Sequence, residues 1–228
     1  MRTVCLRAER LAKRFGAVEA VKDATFEVHG NTISCLLGEN GAGKTTLLKL
    51  LLRFLRPDSG RFSLSVRRVG YIPESPSFFP WLSGVQVLRL TARALGLSGR
   101  NTDQAIDGLA RELAFDPHLL SRRAHTYSPG NQKKLSFLQN LLIEPELLIV
   151  DEPFSALDPA SIKGLRLLFR NLRDQGKTLL LSSHLISELE KVCDEYIIIK
   201  AGRVVAQGVL TGQPDLETLF FQHSGRAG

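Results

Sequence analysis

The sequence has 228 residues, enough for one large domain or two small ones. With 43% hydrophobic and 23% charged residues the chain can bury a core, which excludes a disordered or low-complexity chain. Thirty basic residues against 23 acidic ones give a net charge of +7, which favours nucleotide phosphates, nucleic acid or an anionic membrane face as partners without choosing among them. The chain has no apolar run near the roughly 18 residues of a membrane span, no signal-peptide pattern in residues 1–10 and no paired cysteines. We therefore expect a soluble protein of a reducing compartment.

The first third of the chain predicts strands arranged around a glycine-rich loop. Short strands are predicted over 4–7, 24–28 and 32–37, because β-branched and aromatic residues lie between turn-forming residues. The third strand runs into glycine-rich residues 38–43 and then into a leucine-rich helix over 44–55. A turn at 57–60 and strands over 62–66 and 68–72 follow, and prolines interrupt regular structure between 73 and 80.

From residue 80 to residue 144 the strand pattern disappears and helical spacing replaces it. Asn101 or Thr102 is predicted to cap a helix whose apolar residues recur at helical intervals, namely Ile106, Leu109, Ala110 and Leu113. We interpret this segment as a helical insert.

After the insert, strands and helices alternate again. Strands are predicted over 147–150 and 178–181, helices over 159–175 and 185–192, and a hairpin over 195–200 and 204–207. Asp158 is predicted to cap the first of these helices and Gly176 to end it. Such alternation indicates a largely parallel sheet that is covered on both faces.

Residues 38–45 match GxxxxGK[ST] in full, between a predicted strand and a predicted helix. Glycines let successive backbone N–H groups curl around phosphate oxygens, and the helix turns its positive end towards them. Lys44 would add a charge for the β- and γ-phosphates, and the Thr45 hydroxyl would be a magnesium ligand. The motif therefore predicts a nucleotide-phosphate site.

Two acids, Asp151 and Glu152, directly follow four apolar residues, 147–150. A buried parallel strand that ends in acids places them in the crevice where α/β sheets bind ligands. Asp151 is suited to the magnesium shell, and Glu152 is suited to orient and deprotonate an attacking water.

Four further motifs give the chain a resemblance to the ATP-binding subunits of ATP-binding-cassette (ABC) transporters along nearly its whole length. Residues 127–131, Tyr-Ser-Pro-Gly-Asn, lie just before the acidic strand, where that family carries its LSGGQ signature. Residues 155–158 resemble its D-loop, and His184 resembles its switch histidine. Phe15 stands where the family stacks an aromatic ring on adenine.

The resemblance implies one α/β P-loop NTPase domain over 1–228, with a mostly parallel core sheet, an antiparallel β subdomain and an inserted helical subdomain. Residues 1–79 and 145–210 would form the catalytic core with the β subdomain, 80–144 the insert and 211–228 a C-terminal tail. Two subunits would close head to tail, each ATP held by one subunit's phosphate loop and the other's signature.

The implied site residues fall into three groups. Lys44, Glu152 and His184 would be catalytic, and Thr45, Glu74 and Asp151 would hold Mg²⁺. The ATP-binding residues would be Phe15, Gly38, Glu39, Asn40, Gly41, Ala42, Gly43, Lys44, Thr45, Thr46, Ser128, Gly130, Asn131 and Asp158.

The signature segment departs from the family pattern. Ser128 is predicted to be a helix N-cap and Pro129 the first helical residue, which leaves the N–H groups of Gly130 and Asn131 for a partner's γ-phosphate. The alternative is that Ser128 only caps its own helix. Pro129 lacks a donor N–H, so hydrolysis would be slow if that donor contacted the transition state. We favour no effect, because proline fits a first helical turn without losing a hydrogen bond.

Several of these residues also have simpler interpretations. A carboxylate at the position of Glu74 resembles the exporter branch of the family, but Glu74 also suits an ordinary polar position in a proline-rich turn. His184 also suits a surface position, and Phe15 also suits the core. Solvated faces are expected for the basic clusters, which are Arg7, Arg10, Lys13, Arg14, Arg122, Arg123, Lys133 and Lys134.

The resemblance implies an ATP-hydrolysing subunit that energises a separate transmembrane permease, for export, at the cytoplasmic face of the cell membrane. Its second partner would be another ATPase subunit, identical or different, and no nucleic acid is expected. The insert and the 73–80 loop, with Phe78, Phe79 and Trp81, would dock the permease. Two alternatives stay open: a cassette that acts on nucleic acid or the ribosome, and a regulator that does not hydrolyse ATP.

Overall fold

The computed structural model describes residues 3–97, 100–211 and 214–224. The strands are β1 (Val4–Phe15), β2 (Val18–His29), β3 (Ile33–Leu37), β4 (Ser59–Leu64), β5 (Val69–Ile72), β6 (Leu147–Asp151), β7 (Thr178–Ser183), β8 (Glu195–Lys200) and β9 (Arg203–Val209). The helices are α1 (Lys44–Leu51), α2 (Gly84–Ala94), α3 (Arg100–Glu112), α4 (Pro129–Leu141), α5 (Pro159–Asp174), α6 (Ile186–Glu190) and α7 (Leu216–Ser224).

A six-stranded sheet in the order β5-β6-β7-β3-β8-β9 forms the centre of the protein, and only its β8–β9 pair is antiparallel. Its inner strands β3, β6 and β7 are buried on both faces because successive side chains point into different cores. In β3, Cys35 and Leu37 pack in the core formed with α4 and α5, whereas Leu36 packs in the core formed with α1 and β1. The predicted, largely parallel sheet is confirmed.

A three-stranded antiparallel sheet, β2-β1-β4, packs beside α1. β1 and β2 pair from Val4 with His29 to Phe15 with Val18, so both strands are much longer than predicted. The prediction was wrong because one face of this sheet is solvated and carries charged residues, which interrupt the apolar pattern. Irregular pairing near Arg10, whose φ is 51°, interrupts it further.

The segment between β5 and β6 is helical, as predicted. Ser83 begins α2 with a capping box in which its hydroxyl and the Gln86 side chain each bond the other's backbone N–H. α3 begins at Arg100, so Asn101 and Thr102 lie inside this helix and the prediction that either one caps it was wrong. Two short 3₁₀ turns, Pro117–Ser121 and Ala124–Thr126, lead into α4.

Helix ends differ from prediction where the backbone leaves the helical region. α1 stops at Leu51 rather than at 55, because Arg53 takes a left-handed φ of 60°. α5 is capped by Asp158 and followed by Gly176 with φ 84°, both as predicted.

The predicted C-terminal tail, 211–228, contains a helix that sequence reasoning missed. α7 buries Leu216 and Phe220 against the main core. Residues 212, 213 and 225–228 of that tail lie outside the described residues. Among the helices of the described part of the chain, none has the length and apolar character needed to cross a membrane.

Candidate active site

A cavity of about 500 Å³ lies at the carboxyl-terminal edge of the parallel sheet. It brings together residues from the phosphate loop, the acidic strand and the segments after β5 and β7, which are far apart in the sequence. Its predicted site residues are Glu39, Asn40, Gly41, Gly43, Lys44, Thr45, Thr46, Glu74, Asp151, Glu152 and His184.

Two glycines of the phosphate loop are required by close backbone contacts. A Cβ on Gly38 would lie 2.5 Å from the Ile199 carbonyl oxygen, and one on Gly43 would lie 2.3 Å from that of Ala20. Gly43 also has φ 104°, which L side chains rarely adopt, and it immediately precedes α1. The loop is thus held against β8 and β2, and several of its residues line the cavity.

Lys44 is the first residue of α1 and is only 7% exposed. Its ammonium donates hydrogen bonds to the Gly38 carbonyl at 2.7 Å and the Glu39 carbonyl at 3.3 Å. It also lies 3.8 Å from Glu152 Oε1. The lysine therefore holds a positive charge between the loop and the acidic strand, where a phosphate chain would need it.

The Thr45 hydroxyl donates a 2.9 Å hydrogen bond to Asp151 Oδ2, while the Ser182 hydroxyl donates to Oδ1. Hydroxyl and carboxylate oxygens are ligands that Mg²⁺ accepts, and this ion commonly uses one or two protein oxygens together with phosphate oxygens. Thr45 and Asp151 therefore fit magnesium. Glu74, which is exposed, lines the same cavity.

Glu152 directly follows β6 and has a left-handed φ of 48°. Its buried carboxylate accepts a 2.7 Å hydrogen bond from the Ser183 hydroxyl and lies 2.9 Å from His184 Nδ1. Neighbouring Asp151 and Glu152 therefore have different partners, so one carboxylate faces Thr45 and the other faces His184. This contact with Glu152 distinguishes His184 from an ordinary surface histidine.

Seven predicted ligands do not line this cavity, namely Phe15, Gly38, Ala42, Ser128, Gly130, Asn131 and Asp158. Phe15 is 48% exposed at the end of the β1–β2 hairpin, so the core interpretation of this residue is wrong. Asp158 uses its carboxylate to accept bonds from the backbone and hydroxyl of Ser161. Gly38 lies against the backbone of Ile199, and Ala42 is buried in the core formed with α1 and β1.

The start of α4 is built as predicted, with Ser128 as N-cap and Pro129 in the first turn. However, the Asn131 N–H is not free, because it donates to the Ser128 hydroxyl at 3.4 Å. A Cβ on Gly130 would lie 3.1 Å from the Ala156 carbonyl oxygen. The signature segment therefore packs against the D-loop of its own chain.

Sequence reasoning missed several residues that support the two acids. Ser182 and Ser183 end β7 beside the acidic strand, and the rule that located Asp151 and Glu152 at a strand end could also have found them. Lys133 was expected on a solvated face but is 2% exposed, because its side chain turns inward towards Glu152 and Ser155.

Burial, together with the nearby Asp151 and Glu74, raises the pKa of Tyr71 to about 12.

Comparisons with known proteins show the family of the chain. Residues 21–155 match the family model described as ABC transporter. YxlF, an ABC transporter ATP-binding protein of Bacillus subtilis, is 36% identical and aligns with 90% of this chain and 71% of its own length. Nod factor export ATP-binding protein I of Cupriavidus pinatubonensis is 32% identical over 90% of this chain and 66% of its own length.

Solved structures show the same fold. An ATP-binding subunit of an ABC transporter superposes with a TM-score of 0.88 at 30% identity, covering 96% of this chain and 98% of that one. A dimeric bacterial ABC transporter cassette has a TM-score of 0.83 at 17% identity, covering 91% and 99%, and at that identity the similarity shows the fold alone.

The chain belongs to the ABC transporter family, as one of its ATP-binding subunits.

Proposed function

We propose that this subunit hydrolyses ATP in the cavity at the sheet edge and that Glu152 activates the attacking water. The observation that carries the proposal is the 2.9 Å contact between Glu152 and His184, with the Lys44 ammonium 3.8 Å from the same carboxylate oxygen. A carboxylate held by a serine, a histidine and a lysine is oriented for proton transfer.

In this mechanism Glu152 accepts a proton from water while the water oxygen bonds to the γ-phosphorus. The bond between that phosphorus and its bridging oxygen breaks, and the products are ADP and phosphate. Lys44 and the loop N–H groups bind the phosphate oxygens. Thr45, Asp151 and Glu74 would hold Mg²⁺, which supplies charge neutralisation for the phosphates when bound.

A phosphate-release assay tests this assignment, with Glu152→Gln as the variant. The rate should fall at least about 100-fold, since general-base catalysis contributes that much or more, while ATP binding is kept. Glu217→Gln, at an exposed position of α7, is the matched control and should match wild type. Equal rates for Glu152→Gln and wild type would remove Glu152 from its role.

We also infer that two subunits share each ATP and that a transmembrane permease is the further partner, as family resemblance implies. ATP would bring the α4 start of one subunit to the cavity of the other. Because closure does not need cleavage, Glu152→Gln should form an ATP-dependent dimer in light scattering. A variant that stays monomeric with bound ATP would contradict the shared site.

The permease would dock at the loop before α2 that carries Phe78, Phe79 and Trp81. Phe79 and Trp81 are stacked with centroids 5.1 Å apart and are 59% and 67% exposed. Beside them, a cavity of about 300 Å³ is lined by residues that include Phe78 and Leu90. Exposed apolar surface of this kind is typical of a protein interface. Two observations support export as the direction: the resemblance at Glu74 to the exporter branch of the family, and the similarity of the chain to a Nod factor export protein.

A photo-crosslinker at position 79 should react with the membrane protein that co-purifies with this chain. Position 167 on α5 is the control, because Leu167 is equally exposed, at 60%, but lies on a different element. Crosslinks from 167 and none from 79 would place the docking surface elsewhere.

A further inference from the structure

Lys133 carries a charged side chain into the core of the protein. It lies in the second turn of α4 and is 2% exposed, whereas its neighbour Lys134 is only half-buried. A buried ammonium is costly unless it is paired or fully hydrogen-bonded. Its contacts therefore indicate what this charge is for.

The ammonium of Lys133 binds the segment that carries Glu152. It donates to the Glu152 carbonyl oxygen and, at 2.7 Å, to the Ser155 hydroxyl. The Ser155 hydroxyl in turn donates to the same Glu152 carbonyl at 3.1 Å. With the Ser155 N–H at 3.3 Å, three donors therefore fix one carbonyl, at the residue whose backbone adopts the left-handed conformation.

The carbonyl and the carboxylate of Glu152 belong to one residue with a constrained backbone. If the carbonyl rotates, ψ of Glu152 changes, and this disturbs the backbone that directs the carboxylate to Ser183 and His184. Left-handed backbone in a non-glycine residue is strained and persists only where surrounding contacts enforce it. Lys133 provides such contacts.

We propose that Lys133 is a positioning residue for ATP hydrolysis, which holds the Glu152 backbone so that the carboxylate faces the nucleotide cavity. This inference rests on the proposed role of Glu152 as the group that activates water. Lys133 itself does not line the cavity, so it acts through Glu152 and not on the phosphates.

Stability alone does not explain this lysine. Burial lowers the pKa of Lys133 to about 8 although Glu74, Glu152 and Asp151 favour its charged form, so the charge is unfavourable where it lies. Methionine at this position would remove the cost of burying a charge. The Glu152 carbonyl would keep its bonds from the Ser155 backbone and hydroxyl.

The test is Lys133→Met in the full chain, with ATP and Mg²⁺. We expect kcat to fall about 10- to 100-fold, as for a reacting group displaced by about 1 Å. The KM for ATP should stay within about twofold, because the binding groups are unchanged. The melting temperature should be unchanged or higher. Lys134→Met is the matched control and should behave as wild type.

A loss of kcat together with a lower melting temperature would assign Lys133 a structural role and overturn the inference. Unchanged kcat would also overturn it. Ser155→Ala removes one hydroxyl and should lower kcat in the same direction by a smaller factor, which keeps the inference testable if Lys133→Met does not fold. Lys133→Arg, which keeps the charge and donors, should recover part of the activity.

A double-mutant comparison separates this inference from the proposed function. If Lys133 acts through Glu152, then Lys133→Met should have no further effect in the Glu152→Gln background. Independent, multiplied losses would overturn the inference. A Glu152→Gln variant as active as wild type would overturn the proposed function instead, whatever Lys133→Met does.

Discussion

At the scale of single residues, two adjacent acids have different hydrogen-bond partners because the neighbouring strand offers each acid a different serine. Ser182 and Ser183 point to opposite sides of β7, so one binds Asp151 and the next binds Glu152. Asp151 is thereby turned towards Thr45, and Glu152 towards His184. This division follows from the two-residue repeat of a strand.

Phe15 is predicted to stack on the adenine base. Its ring is half exposed, with the Lys13 ammonium 5.8 Å from the centroid. Stacking a base on an aromatic ring contributes about 1–3 kcal/mol, so Phe15→Ala should weaken ATP binding about tenfold, measured by titration calorimetry. Phe15→Trp should keep the affinity. Inorganic tripolyphosphate has no base and should bind wild type and both variants with the same affinity. If Phe15→Ala weakened tripolyphosphate binding as much as ATP binding, stacking would be contradicted.

The buried charge of Lys133 predicts a pH dependence of stability. The pKa falls from 10.5 to about 8 in the folded chain, so between these values the unfolded chain binds more protons and the free energy of unfolding rises with pH. Below pH 8 both states are protonated and the cost is complete. Relative to Lys133→Met, wild type should gain on the order of 3 kcal/mol across this window.

Urea denaturation of both proteins at several pH values measures this gain. The variant is the necessary reference because other groups titrate as well, such as Tyr71, whose raised pKa acts in the opposite direction above pH 10. A difference between the two proteins that does not change with pH would contradict the prediction.

At the scale of elements, α4 connects two parts of the site. Its first turn carries the signature residues, and its second turn places Lys133 against the segment that follows β6. One helix therefore extends from the predicted contact with the partner's nucleotide to the acid of its own site. A movement at the helix start would be transmitted along its axis.

Pro129 should not limit hydrolysis. It lies in the first turn of α4, where its missing N–H has no partner within the helix. Pro129→Ala should therefore change kcat less than about threefold, whereas an added transition-state donor contributes about 2.7–4 kcal/mol and would raise kcat at least about 100-fold. Phosphate release under saturating ATP distinguishes the two outcomes.

At the scale of the whole molecule, the cavity holds the phosphate loop and both acids but lacks the signature residues of the same chain. If a second subunit supplies them, two differently damaged chains should complement each other. Lys44→Ala damages the loop. Ser128→Asp keeps an N-cap but adds a negative charge that repels phosphate.

Each variant alone should be inactive, and an equal mixture should recover about a quarter of wild-type activity. Random pairing makes half of the dimers mixed, and each mixed dimer has one intact site of two. Phosphate release across mixing ratios gives the measurement. No recovery, from variants that each still bind partner chains, would contradict the shared site.

Sequence patterns were sufficient for features that depend on local chemistry. The phosphate loop, the acidic strand end, the caps Ser128 and Asp158 and the alternation of strands and helices were all predicted, because each is a residue type at a fixed spacing. The extent of β1 and β2 was not, since charges on a solvated face conceal a strand, and neither was α7, which is short and becomes stable by burying Leu216 and Phe220.

Only the tertiary structure decided which side chains support the two acids. The residues that hold Glu152 come from α4 and from the end of β7, about 19 and 31 positions away in the sequence. A lysine in a helix with mixed polarity is indistinguishable in sequence from a solvated one. Its side chain becomes buried because the sheet and α4 pack together, and packing between distant segments is not recorded in local sequence patterns.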